Sequence, residues 1–205
     1  MFTLILASLL SLPMYPLNPV DQDTLAQANL HFTVGVSGPN SIISTGPEMS
    51  LKYEMLVDHP IVVRAAVDYK YGDITTRLFP AGNIHTAVTS VEGLFYRGTD
   101  KLTGYMGAGI VYSYNYFKLT STAADSLLVN HAISDVRIKN TFGYRITLGM
   151  RIHRSYAIEF AITEVRPDFV YTSRMSPSQY SEVAERTRLN DVRLSFGFLL
   201  PVRVF

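Results

Sequence analysis

From Arg137 to Ile152 the chain alternates apolar and polar residues almost without a break. Ile138, Phe142, Tyr144, Ile146, Leu148, Met150 and Ile152 share one parity. Arg137, Lys139, Thr141, Gly143, Arg145, Thr147, Gly149 and Arg151 share the other. Side chains of a β-strand point alternately to opposite faces, so this pattern predicts a strand with one greasy face and one cationic, small-residue face. It is longer than the roughly five or six residues usual in soluble proteins. A tilted strand of about 9–11 residues is what a bilayer crossing needs.

Seven further segments repeat the pattern, at 30–37, 49–57, 61–71, 85–96, 103–117, 156–171 and 191–202. In 156–171 the apolar parity slips by one near Glu164, which reads as a β-bulge. Strands 2–3, 4–5 and 6–7 are joined by tight turns such as Asp58-His59-Pro60, Gly98-Thr99-Asp100-Lys101 and His153-Arg154-Ser155. The other connections, 38–48, 72–84, 118–136 and 173–187, are longer and polar. Strict alternation of short and long connections is the asymmetry of outer-membrane barrels, with short periplasmic turns and long extracellular loops. The expected fold is all-β: an eight-stranded antiparallel up-and-down transmembrane β-barrel.

Which face points inward follows from size and charge. Lys52, Glu54, Arg64, Asp68, Lys70, Glu92, Lys139, Arg145, Arg151, Glu159, Arg166, Asp168, Asp191 and Arg193 share the face that carries glycine and serine. A narrow eight-stranded lumen needs small residues and paired charges. The opposite face is bulky and almost uncharged, as lipid requires. A soluble, ligand-binding periplasmic or secreted barrel is the competing solution, with the apolar face turned inward. Tyr53, Tyr69, Tyr71, Tyr96, Tyr112, Tyr114, Tyr116, Tyr156 and Tyr171 lie mostly near strand ends and are expected to form interfacial girdles.

Composition sharpens this picture. Charged residues make up 17% of the 205 residues, below the roughly 25% of soluble domains. The net charge of +1 gives no electrostatic case for nucleic acid. The absence of cysteine excludes disulfides, thiolate catalysis and cysteine-based zinc sites. Met1 to Pro13 reads as the apolar stretch of an export signal, and Ala26-Gln27-Ala28 as its cleavage motif. Residues 1–28 are therefore expected to be a leader and 29–205 the barrel.

Gly104-Tyr105-Met106-Gly107-Ala108-Gly109-Ile110-Val111-Tyr112 resembles the PYVGAGxxY strand of small eight-stranded outer-membrane proteins of the OmpA/OmpW kind. Thr141 to Phe160 is similar to their sixth and seventh strands, and Phe205 to their C-terminal aromatic. The resemblance implies the outer membrane of a Gram-negative-type bacterium. It implies as partners the outer-membrane lipid and lipopolysaccharide, the barrel-assembly machinery during insertion, and other components of an envelope complex. An OmpW-like relationship would imply passage of small hydrophobic molecules; Tyr105, Val111 and Phe117 are the bulky residues expected on the inner face of strand 5.

The candidate site is a lumen charge network of Lys52, Glu54, Arg64, Asp68, Glu92, Arg145, Arg151, Glu159, Asp191 and Arg193. Paired, these residues would plug the lumen; exchanging partners, they would open a narrow path. The expected role is structural, or limited passive transport of small molecules. A lipid-modifying enzyme would need a Ser/His/acid set near the outer leaflet. His85 and His131, with Ser90, Ser134 and Asp135 in the region, have no diagnostic spacing, so no catalytic residues are assigned. The five histidines are scattered, so no metal or other cofactor is expected.

Overall fold

Alternation at period two commits each segment to a strand with two unlike faces, and closing the sheet on itself removes its edges. The computed structural model describes residues 27–38, 45–58, 60–74, 81–99, 101–153, 155–176 and 179–203. Eight strands form a closed barrel: β1 (Gln27–Ser37), β2 (Gly46–Asp58), β3 (Ile61–Ile74), β4 (Gly82–Gly98), β5 (Leu102–Leu119), β7 (Thr141–Ile152), β8 (Tyr156–Val165) and β11 (Leu189–Arg203). Each pairs antiparallel with its neighbours, and β1 closes the ring against β11, with Phe32 opposite Phe198. Most of the leader segment and Phe205 lie outside the described residues. Ala28 of the expected cleavage motif already belongs to β1, opposite Val202 and Met55.

The faces are those of a membrane barrel. Phe32, Leu51, Val67, Val91, Ile110, Ile146, Leu194 and Phe196 point outward and are exposed. Lys52, Glu54, Arg64, Asp68, Glu92, Arg145, Glu159 and Arg193 point inward and are buried. This inside-out arrangement is stable only where the surround is hydrocarbon, which removes the soluble-barrel alternative. Among the described residues no helix is long and apolar enough to cross a membrane; the strands do so.

Glycine on the inner face makes room for bulk from the adjacent strand. Gly149 on β7 faces Tyr105 on β5, and a Cβ there would run into the tyrosine ring. At the β4–β5 turn, Gly98 has φ +142°, a conformation that side chains oppose.

The largest correction concerns the two long segments expected at 137–152 and 156–171. The first is interrupted at Lys139–Asn140, and the second at Arg166–Pro167. Their outer parts, β6 (Ile133–Ile138) and β9 (Asp168–Ser176), leave the barrel and pair with each other. β10 (Gln179–Arg186) then pairs with β9, giving a three-stranded sheet of order β10-β9-β6 above the rim. The long connection at 118–136 also contains a helix, α1 (Ser121–His131). The Thr120 side chain caps it by accepting from Ala123 N at 3.3 Å, and Ala132 ends it in the left-handed region.

No bulge exists at Glu164. Val165 and Phe169 keep the inward parity of Glu159 and Thr163, and both are buried. What changes is the chemistry of the faces. Within the membrane the inner face is polar and the outer face apolar. Above it Val165 and Phe169 make the inner side apolar, while Glu164 and Arg166 make the outer side charged. Water replaces lipid at that level, so the ordinary inside-apolar rule returns. The pairing also shifts there. Gly143 faces Val165, but Ile138 faces Phe169, so four residues on one arm span three on the other. Lys139, Arg166 and Asp168, expected on the lumen face, lie at this exit instead.

Candidate functional site in the lumen

The inner face is layered. Near the short turns, Tyr96 and Tyr105 stack at 5.0 Å between centroids, beside Leu94 and Val62. Tyr96 was expected in the outer girdle; it points inward, is buried, and donates to Glu54 at 3.0 Å. Arg151 sits 4.4 Å over the Tyr96 ring and pairs with Glu54.

The middle layer is a continuous ion network. Arg64 donates from Nε to Glu54 Oε1 at 2.9 Å and from Nη1 to Glu159 Oε2 at 2.5 Å. Glu159 also accepts from Lys52 Nζ at 2.6 Å, Arg193 Nη2 at 2.6 Å and the Tyr105 hydroxyl at 3.0 Å. Arg193 continues to Glu48 at 2.6 Å and Asp68 at 2.8 Å. Arg145 Nη2 meets Asp68 Oδ2 at 2.6 Å and its Nη1 lies 3.4 Å from Glu92. Thr147 and Thr163 add hydrogen bonds to neutral groups, the first donating to Glu92 at 2.7 Å, the second accepting from Arg145 Nε at 2.9 Å.

The network therefore joins five cations, Lys52, Arg64, Arg145, Arg151 and Arg193, to five carboxylates, Glu48, Glu54, Asp68, Glu92 and Glu159. Its formal charge cancels, as burial in a low-dielectric wall demands. Nine of the ten predicted lumen residues belong to it. The tenth, Asp191, lies inward but apart, paired with Lys70 at 2.8 Å nearer the extracellular end. Sequence reasoning missed Glu48, because the strand was expected to begin at Met49; its even parity with Ser50, Lys52 and Glu54 was the available signal.

Above the network a cavity of about 40 Å³ is lined by Glu48, Asp68, Lys70, Thr86, Asn115, Arg145 and Asp191, among others. That is room for a few water molecules. An apolar layer of Ile74, Ile84, Val111, Ile138, Val165, Phe169 and Leu189 covers it, with Phe117 and Tyr171 packed against its edge. Two of these, Ile138 and Phe169, come from the outer sheet. Tyr171 thus belongs to the cap rather than to a girdle; burial, and then Glu185, push its phenol above the ordinary value. Of the bulky residues expected inside β5, Tyr105 joins the network, whereas Val111 and Phe117 serve the cap.

The residues considered for catalysis are separated. His85 faces outward, bonded to the Tyr69 hydroxyl at 2.6 Å and packed on Tyr71 and Tyr116. Ser90 is buried inside, donating to Glu92 at 3.0 Å. Ser134 donates to the Thr172 carbonyl and Asp135 lies 3.5 Å from Arg137, both on the outer sheet. Among the described residues no group of three or more acidic or histidine side chains could hold a metal.

No protein-family model and no curated protein matches this chain. Solved structures do. The outer membrane protein OprG from Pseudomonas aeruginosa matches with TM-score 0.59 at 14% identity, over 85% of this chain and 95% of its own. The outer membrane protein AlkL, solved in DMPC bilayers, matches with TM-score 0.53 at 14% identity, over 87% and 90%. The outer membrane enzyme PagL matches at 12% identity over 85% and 99%, with TM-score 0.41. The closed ring of eight strands and the likeness to the first two structures give the chain the fold of the small eight-stranded outer-membrane barrels. Function has to be argued from the site, because one fold serves many chemistries.

Proposed function

We propose that this protein is an integral outer-membrane barrel of a Gram-negative-type bacterium with a structural role, its lumen held shut by the charge network. Glu159 carries the reading. It sits on β8 and receives donors from β2, β3, β5 and β11, so one carboxylate ties four other strands across the lumen. The stacked tyrosines below and the apolar cap above narrow the same passage. Solute passage needs partner exchange within the network together with movement of the cap. Transport is therefore at most a limited, gated activity, for which the polar cavity beneath the cap is the supporting feature. Catalysis has no part in this reading, since His85 and Ser90 lie on opposite faces of β4. The membrane lipid is the natural surround, and the barrel-assembly machinery is the partner expected during insertion.

Planar-bilayer recording tests the closed lumen. The wild-type protein is expected to show no steady conductance. Arg145→Ala and Glu159→Ala are expected to show intermittent current, as freed charges recruit water. A large, steady wild-type conductance would overturn the structural reading in favour of a pore.

A further inference from the structure

Where the polarity of β8 inverts, an outward-facing cluster stands apart from the lumen. Glu164 points away from the barrel axis, yet it is only 4% exposed. Its cross-strand neighbour on β7, Tyr144, donates to Oε2 at 2.7 Å. Arg166 donates to Oε1 from Nε at 3.1 Å and from Nη2 at 2.9 Å. Arg188 pairs with Oε2 and donates from Nε to Asn190 at 3.1 Å. Asn190 is the neighbour of Glu164 on the other side, on β11. The two connections that carry the arginines are joined by a hydrogen bond from Thr187 N to the Pro167 carbonyl at 3.0 Å.

Two guanidiniums therefore share one carboxylate, which fixes their position and leaves positive charge in excess. They remain 62% and 58% exposed. A guanidinium presents a planar fork of donors that matches the oxygens of phosphate. The height of the cluster supplies an independent argument. Tyr156 to Glu164 climbs about 20 Å along a tilted strand, given ~3.3 Å per residue. The apolar band of such barrels is ~25 Å tall and bordered by aromatic girdles. Phe142 and Tyr144 are exposed on the outer face at this level, so the arginines stand where lipid headgroups begin.

We infer that Arg166 and Arg188 form a docking site for the phosphate of an outer-leaflet lipid, with Glu164 and Tyr144 as positioning residues. The site rests on the membrane reading above. Native mass spectrometry of the full-length barrel in detergent micelles tests it, with three probes: a bis-phosphorylated lipid A, the same lipid after dephosphorylation, and inorganic phosphate. The wild type is expected to prefer the phosphorylated lipid. Arg166→Gln/Arg188→Gln is expected to weaken its binding about tenfold, the loss of charge-assisted contacts to one phosphate. Arg137→Gln, on the outer sheet, should bind as the wild type does. Equal binding by the double variant and the wild type overturns the site, as does equal binding of the two lipids. Inorganic phosphate bound as tightly as the lipid overturns the lipid source. Heat-modifiable gel mobility, read on every sample, reports the membrane barrel separately; its loss would count against the membrane reading, not against this site.

Discussion

Arg64 and Glu159 meet at 2.5 Å across the full width of the barrel. Their strands, β3 and β8, stand four places apart in either direction around the eight-stranded ring. Neither pairs with the other through its backbone, so this contact is a side-chain tie across the diameter. Arg64 is wholly buried and Glu159 nearly so. Removing one partner of a buried pair strands the other in a poor solvent, at a cost of about 3–5 kcal/mol.

A double-mutant cycle measures the tie. Arg64→Ala and Glu159→Ala are each expected to lower the denaturant midpoint of the vesicle-embedded barrel. Glu159→Ala should be the worse, since it takes a partner from Lys52 and Arg193 as well, whereas Glu54, which Arg64→Ala also deprives, keeps Arg151. The double variant should be less destabilised than the sum, with a coupling of about 0.5–3 kcal/mol. Additive losses would show that the two residues do not act as a pair.

The pairing of Tyr105 with Gly149 gives a second expectation. A side chain at position 149 enters the space of the buried phenol. Gly149→Val is therefore expected to destabilise by about 1–3 kcal/mol through overpacking. Adding Tyr105→Ala should recover part of that loss, although the hydrogen bond to Glu159 goes with the ring. The readout is the temperature at which gel mobility shifts from folded to unfolded. Failure of the second change to rescue the first would place the strain elsewhere.

Parity alone located the lumen residues, because a strand held between lipid and a packed interior has no freedom to exchange its faces. Tyr96 obeys that logic too: it shares the even parity of Ser90 and Glu92 and is buried on the inner face with them, and only its place near a strand end favours a girdle. The outer sheet was illegible for a different reason. β6 and β9 alternate with the same period as β7 and β8, so nothing in the periodicity marks the level at which the chain leaves the bilayer. The marker is the inversion at Glu164 and Val165, which in sequence resembles a bulge. α1 is legible only in part: Ala123, Ala124, Leu127 and Leu128 favour a helix, but eleven residues between polar flanks are too short a run to separate from a loop.

The cap yields a test of access that the cysteine-free sequence makes clean. Ser113 lines the cavity beneath the apolar layer and is buried. Ser113→Cys in the otherwise native protein is expected to resist a membrane-impermeant thiol reagent applied from outside. Phe169→Ala removes a fully buried ring at the centre of the cap. Combining the two should make the thiol react, and the rate reports how often the cap opens. Rapid labelling of Ser113→Cys alone would show that the outer sheet does not seal the lumen.

The outward face can be challenged directly with charge. Ile146 lies near the middle of β7, opposite Ala108 and Ile162, and is 47% exposed. If lipid surrounds it, Ile146→Arg must carry a guanidinium close to the bilayer midplane, at a cost of about 2–4 kcal/mol. Val183 on β10 is 59% exposed above the rim, where water is the solvent, so Val183→Arg is expected to stay within about 0.5 kcal/mol of the wild type. Equilibrium unfolding of both variants in lipid vesicles separates the two environments. A soluble barrel would treat the positions alike, because an exposed isoleucine and an exposed valine in water accept arginine equally well. Equal midpoints for the two variants would therefore contradict the membrane placement of β7, whereas a selective loss at Ile146 fixes the apolar band to the face that alternates from Phe142 to Ile152.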